Sequence, residues 1–169
     1  MFAKIITIFS FIMLLSACAS DDVLDRYSLP ITVRVEASDN LNWANNTANP
    51  VALRVYQLTN AERFQQADFI SLFQSDKQLL AEQLVELKRI YPILPATTQD
   101  ITVKLLPTTR FLAVVAEFTD YQNLVTSSVI ELPEDISAET DIWLGLQSTG
   151  VRLSVIKEES LLDKIIKWD

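Results

Sequence analysis

Residues 111–118 read FLAVVAEF, eight positions with one charge, at Glu117. Successive side chains of a strand point to opposite faces, so a run that is apolar at odd and even positions alike must be covered on two sides. The stretch is therefore expected to be a central strand lying between layers. Neighbouring segments supply material for those layers. Ile31, Val33 and Val35 share one face, with Thr32, Arg34 and Glu36 on the other, as in a half-buried strand. Val51, Leu53 and Val55 begin a second strand with Arg54 on its outer face. Ile101, Val103 and Leu105 alternate with Thr102 and Lys104, and Val125 to Glu131, Ile142 to Gln147 and Val151 to Ile156 follow between turn-rich segments. Val85 to Leu94 is a further strand, interrupted by Pro92 and so expected at an edge. Gly145, inside one of these runs, points to a bulge or a close approach of backbones.

Residues of about 60–84 break the alternation. Phe69, Leu72 and Phe73 fall at i, i+3 and i+4 with Phe64 upstream, and Asp76 is placed to cap a second short helix presenting Leu80 and Leu84. Neither helix is long enough to be stable alone, so the pair is expected against a sheet. Seven or eight short strands with helices confined to one insertion predict a mainly β chain, a β-sandwich with a small two-helix insertion over residues 29–158.

The first residues follow a different plan. Met1 to Lys4 carry one positive charge, Ile5 to Leu15 are apolar apart from Thr7 and Ser10, and Ser16 and Ala17 are small. Residues 1–17 thus have the layout of an export signal, with an apolar core about half the ~20 residues that a spanning helix needs. Cys18 is the single cysteine of the chain, so it has no internal disulfide partner. The block Leu15-Ser16-Ala17-Cys18 is similar to the bacterial lipobox. There the chain is cut between the residues corresponding to Ala17 and Cys18, the sulfur carries a diacylglycerol, and the freed amine takes a further N-acyl chain. One acyl chain, at ~0.8 kcal/mol per buried methylene, holds a protein only marginally, whereas two or three make attachment effectively permanent. Ala19, in place of aspartate at the second position of the mature chain, favours sorting to the outer membrane. The expected location is its periplasmic face, anchored by lipid. Residues 18–28 are then a lipidated flexible tether. Residues 159–169 form an amphipathic tail, in which SLLDKIIKWD (Ser160 to Asp169) has a Ser-x-x-Asp capping pattern and places Leu161, Leu162, Ile165 and Ile166 on one stripe. Two readings of the tail stand: a closing helix packed on the sandwich, or an apolar surface offered to a partner.

Much chemistry is excluded. The chain has no histidine, the commonest general base and metal ligand. Its two glycines, Gly145 and Gly150, cannot build a P-loop or a dinucleotide fingerprint. Glu134, Asp135, Glu139 and Asp141 lack the spacing of a calcium loop. No catalytic residue, no metal and no cofactor beyond the acyl chains on Cys18 is expected. The net charge of −8 repels nucleic acid.

The parts in order resemble the type VI secretion outer-membrane lipoproteins of the TssJ (SciN) family. After Cys18, a strand and an Asn-rich loop lead into PVALRVYQL (Pro50 to Leu58), similar to the family's Pro-x-x-x-Arg-x-Tyr-x-Leu signature. Phe64, ADFISLF (Ala67 to Phe73), Asp76 and Leu80 follow, and LAVVAEFTD (Leu112 to Asp120) is similar to the family's central strand. Two positions depart: Thr119 stands where arginine is usual, and Tyr121 rather than tryptophan follows Asp120. The resemblance implies a transthyretin-like sandwich and a structural, non-enzymatic role at the outer-membrane end of an envelope-spanning complex. It also implies contact with the periplasmic C-terminal region of the inner-membrane protein TssM, and through it with TssL. The contact is expected from the loop between the first two strands, at Asn40, Leu41, Asn42, Trp43, Ala44, Asn45, Asn46 and Thr47. Trp43 and Leu41 would be its apolar anchors, with the asparagines, Asn49 included, hydrogen-bonding the partner. The competing reading folds Trp43 onto its own sandwich and leaves the asparagines to turn geometry. A different class of function, a periplasmic module binding a peptide, glycan or small ligand, would require a deep aromatic-lined pocket between the sheets.

Overall fold

The computed structural model describes residues 27–156. The export signal, Ala17, Cys18, Ala19, nearly all of the tether and the C-terminal tail lie outside the described residues. The order of elements is β1 (Leu29–Ala37), β2 (Val51–Leu58), α1 (Glu62–Gln66), α2 (Phe69–Leu80), a 3-10 turn (Ala81–Gln83), β3 (Leu84–Ile93), β4 (Thr98–Leu105), β5 (Phe111–Ala116), β6 (Ser127–Glu131), β7 (Asp141–Gln147) and β8 (Gly150–Ile156). Two four-stranded sheets, β4-β1-β7-β8 and β3-β2-β5-β6, face one another as the expected sandwich, here with eight strands. β1 runs parallel to β7, and the other pairs are antiparallel.

β5 explains the two-sided apolar run. Leu112, Val114 and Ala116 point between the sheets, into a core shared with Val33, Leu53 and Leu144. Ala113 and Val115 point the other way, against Phe64, Leu72 and Leu80 of the helical insertion. Each fully buried Val or Leu contributes about 1.5–3 kcal/mol, so both coverings matter. Pro92 lies inside β3 without breaking it, and β3 is an edge strand as expected.

Three expectations are corrected. Arg54 does face away from the inter-sheet core, yet it is only 5% exposed, because α2 covers that face of β2. Its Nε donates to Glu117 Oε1 (2.6 Å), and its Nη1 donates to Asp76 Oδ2 (2.9 Å) and to the carbonyls of Leu72 (3.3 Å) and Phe73 (3.0 Å). Those carbonyls lie next to a break in α2, where Ser75 leaves helical geometry (φ −145°, ψ 34°). Asp76 Oδ1 accepts from the Lys77 N–H just beyond it (2.8 Å), so one ion pair serves both helix ends that the break creates. Leu84 is not on a helix at all: it opens β3 after the 3-10 turn. Gly145 marks neither a bulge nor a backbone contact, since its register with β1 and β8 is continuous. A Cβ there would come within 2.1 Å of the Trp143 indole, which lies across the missing side chain.

Burial opposes the charge on the Arg54 guanidinium, but the hydrogen bonds that it donates to Glu117 and Asp76 outweigh it and hold its pKa above the usual value. Burial, and after it the Asp76 carboxylate, push the Tyr56 phenol well up; its hydroxyl donates to Asp76 Oδ2 (3.2 Å). Arg54→Ala leaves Asp76 buried with Arg89 at 3.8 Å as its nearest remaining cation. Breaking one side of such a pair costs about 3–5 kcal/mol, so urea denaturation of this variant should show a loss of that size. The same substitution in an Asp76→Ala background should cost much less.

Candidate functional site

The β1–β2 connection crosses from one sheet to the other and closes one end of the sandwich. Its backbone is stitched throughout. Ser38 N donates to Leu146 O (2.9 Å), Leu41 N to Ser38 O (3.3 Å) and Asn49 N to Leu41 O (3.0 Å). Ala44 and Thr47 exchange two backbone hydrogen bonds (3.0 and 3.1 Å) around Asn45 and Asn46, whose φ angles are +53° and +61°. Two left-handed residues in succession are what a tight I′-type turn demands, and asparagine tolerates that conformation best among residues with a side chain. Asn49 Nδ2 reaches the carbonyls of Asn42 (3.2 Å), Ala44 (3.2 Å) and Thr47 (2.9 Å) from below.

This geometry divides the predicted contact residues. Leu41 is 0% exposed and belongs to the inter-sheet core, so it cannot be an outward anchor. Asn42 is buried with φ +47°. Its Nδ2 donates to Pro50 O (2.9 Å) and its Oδ1 accepts from the Thr119 N–H (2.8 Å), so its hydrogen bonds stay inside the fold. Asn49 likewise works as an internal brace. Trp43, by contrast, is 57% exposed and does not fold back onto the sandwich. Asn40, Asn45, Asn46 and Thr47 are exposed around it, and Ala44 is half-buried. A rigid tip that presents one indole and several amide groups suits recognition of a protein surface, because little ordering entropy remains to be lost on binding.

An aromatic row beside the loop escaped sequence reasoning. Tyr121 stacks on Phe69 (4.8 Å between centroids) and Phe69 on Phe73 (5.7 Å), while the Arg54 guanidinium lies 4.8 Å from the Phe73 ring centre. Through Thr119 and Asn42 the row joins the base of the loop. Helical spacing makes Phe69 and Phe73 part of a packing stripe, but Phe73 is 43% exposed. The spacing of the two aromatics one turn apart was visible, whereas the stacking partner Tyr121 lies far along the chain.

At the opposite end of the sandwich lies an open cleft of about 920 Å³, lined by Glu131, Leu132, Glu134, Asp135, Val155 and Ile156 among others, none of them aromatic. Glu139 and Asp141 also border it, yet among the described residues no group of three or more carboxylates is arranged to hold a metal ion. It is not the aromatic pocket between sheets that a ligand-binding module requires.

A family profile described as type VI secretion lipoprotein, VasD, EvfM, TssJ, VC_A0113 matches residues 29–147, more than half of the chain. Comparison with curated proteins finds no match. Among solved structures, the T6SS lipoprotein TssJ1 from Pseudomonas aeruginosa is similar with a TM-score of 0.69 and 23% identity, over 77% of this chain and 98% of that one. Lip from Serratia marcescens, described as a membrane bound component of the type VI secretion system, gives 0.67 and 21% over 77% and 98%. A chain in a structure described as the T6SS protein TssM C-terminal domain from EAEC gives 0.56 and 19% over 76% and 98%. At these identities the likeness is one of fold.

Leu41→Ala should cost about 2–5 kcal/mol of stability through the cavity that it leaves. Asn42→Ala should cost about 1–3 kcal/mol, by stripping partners from the Thr119 amide and the Pro50 carbonyl. Trp43→Ala, at an exposed position, should stay within about 0.5 kcal/mol. Urea unfolding of the three variants side by side tests the division of the loop into brace and contact.

Proposed function

The chain belongs to the TssJ (SciN) family of type VI secretion lipoproteins, and from that premise we propose that it is the outer-membrane anchor of a trans-envelope secretion complex, gripping the periplasmic C-terminal region of TssM with the tip of its β1–β2 loop. TssL is engaged only through TssM. The family is one of secretion lipoproteins rather than enzymes, and the chain's lack of histidine accords with that. In this reading signal cleavage between Ala17 and Cys18 frees the cysteine for acylation, Ala19 directs the product to the outer membrane, and residues 18–28 tether the domain to the bilayer.

The observation that carries the proposal is the placement of the two attachments. β1 starts at Leu29, just after the tether, and ends at Ala37, just before the loop. At about 3.3 Å per residue, the strand separates membrane side from partner side by roughly 26 Å. Trp43 is the natural centre of the contact, since exposed tryptophans surrounded by polar groups are frequent hot spots of binding energy. Asn45, Asn46 and Thr47 form its polar rim.

Cys18→Ser should move the protein from the outer-membrane fraction and abolish type VI secretion while leaving TssM binding intact; wild-type secretion by this variant would refute anchoring as the role. Trp43→Ala should lower affinity for the TssM periplasmic region by about 2 kcal/mol, roughly thirtyfold in Kd, with an unchanged melting temperature. Calorimetric titration measures this, and an unaltered Kd would move the contact to another surface.

A further inference from the structure

A glycine inside a strand weakens it and marks a place that something approaches closely. At Gly145 of β7 the visitor is the Trp143 indole, whose Cζ2, Cζ3 and Cη2 atoms would stand 2.1–2.8 Å from a Cβ at that position. One face of the six-membered ring is thus laid on the strand. The helical insertion packs on the other sheet, and Trp143 is half-buried, bordering an open hollow of about 310 Å³. Val125, 59% exposed, and the exposed Gln147, Thr149 and Arg152 complete its wall. In sheet register Gly145 has Glu36 of β1 on one side and Arg152 of β8 on the other, and the hollow opens on the Arg152 side. Arg34, the β1 neighbour of Trp143, is engaged by Asp100 (3.3 Å). Arg152 has no carboxylate partner among the described residues, in a chain whose net charge is −8. An unpaired cation beside an aromatic plane is the reverse of what that acidic surface offers elsewhere.

We propose that this hollow binds a carboxylate-bearing saccharide, the glycan of peptidoglycan, with a pyranose ring on Trp143 and a carboxylate at Arg152. The choice of peptidoglycan rests on the periplasmic placement proposed above; the saccharide site itself does not. A pyranose presents a face of C–H groups with slight positive charge, which the negative face of an indole attracts. The Gln147 amide and the Thr149 hydroxyl can both donate and accept, as sugar hydroxyls and N-acetyl groups require. Arg152 matches the carboxylates that peptidoglycan carries on its peptide stems and, where these are removed, on its lactyl groups. A peptide added as a strand is a poorer occupant, because β7 is hydrogen-bonded along both edges. A lipid head group is poorer too. Since β7 runs parallel to β1, Gly145 stands level with Glu36, roughly 23 Å along β1 from Leu29 and the tether. The volume is at the small end of ligand sites, with room for a short saccharide and none for a folded partner.

Calorimetric titration of the acylated full-length protein in detergent with muropeptides, the disaccharide-peptides that a muramidase releases, tests the site. The wild-type protein should bind them and should sediment with intact sacculi. Trp143→Ala should weaken binding about tenfold or more, and Trp143→Tyr, which keeps a flat ring, should restore most of it. Arg152→Gln should weaken muropeptide binding about tenfold and leave the weaker binding of neutral chitotriose nearly unchanged. Free stem peptide that binds as well as the muropeptide, or displacement of the muropeptide by glycerophosphoglycerol, would assign the hollow to a peptide or a lipid head group and overturn the saccharide. Wild-type protein that binds TssM yet gives no heat with muropeptides overturns the site and leaves the proposed function standing. A lower melting temperature of Trp143→Ala with an unaltered titration would reduce the indole to a cover for Gly145, and would also overturn the proposal.

Discussion

A buried guanidinium holds the outer half of this molecule together. Arg54 sits on the face of β2 that a two-layer sandwich would leave in water, and the fold uses it to fasten a third layer. Its charge is met by Asp76 from the helical insertion and by Glu117 beyond the end of β5. Sheet, insertion and the β5–β6 connection therefore meet at one side chain. A desolvated charge is tolerable only when its partners are fixed, and here they are fixed by the break at Ser75 that turns two carbonyls toward it. The helices are short and would not persist in isolation. Their order derives from this site and from the apolar contacts of Phe64, Leu72 and Leu80.

That constraint reaches the loop at the end of the sandwich. Glu117 leads to Thr119, whose amide is held by Asn42, and to Tyr121, which stacks on the helix that Arg54 secures. The tip bearing Trp43 thus rests on a base braced from both sheets and from the insertion. Gln57 makes a similar tie elsewhere. It is a polar side chain pointing inward from β2, and it satisfies the Lys104 carbonyl, the Leu106 amide and the Thr109 hydroxyl.

What could be read from the residues followed periodicity. β1, the edge character of β3, the central position of β5 and the confinement of helices to one segment were all legible, because alternation and two-sided hydrophobicity are local properties. Long-range pairing was not. Arg54 stands among apolar neighbours in VALRVYQL, which hints at burial, but nothing in the order of residues identifies Asp76 as its partner. In DNLNWANN the apolar Leu41 and Trp43 look equivalent two positions apart, and only the path of the backbone sends one into the core and the other into solvent. Asn42 and Asn45 are likewise indistinguishable by type. The first braces the fold and the second shapes a turn. Gly145 stands out within its run, yet neither a bulge nor a second backbone accounts for it; the space is taken by the Trp143 ring.

The parallel pairing of β1 with β7 has a mechanical meaning. β1 is hydrogen-bonded along one side to β4 and along the other to β7. Its first end leads to the proposed lipid anchor and its second to the loop whose tip is proposed to hold a partner protein. A pull between them runs along the strand axis, so the rungs on both flanks are strained in shear and must give way together. A strand drawn sideways from an edge would instead unzip one rung at a time. By placing its first strand in the interior of a sheet, the sandwich is shaped as a tension member that resists extension far better than its modest size suggests.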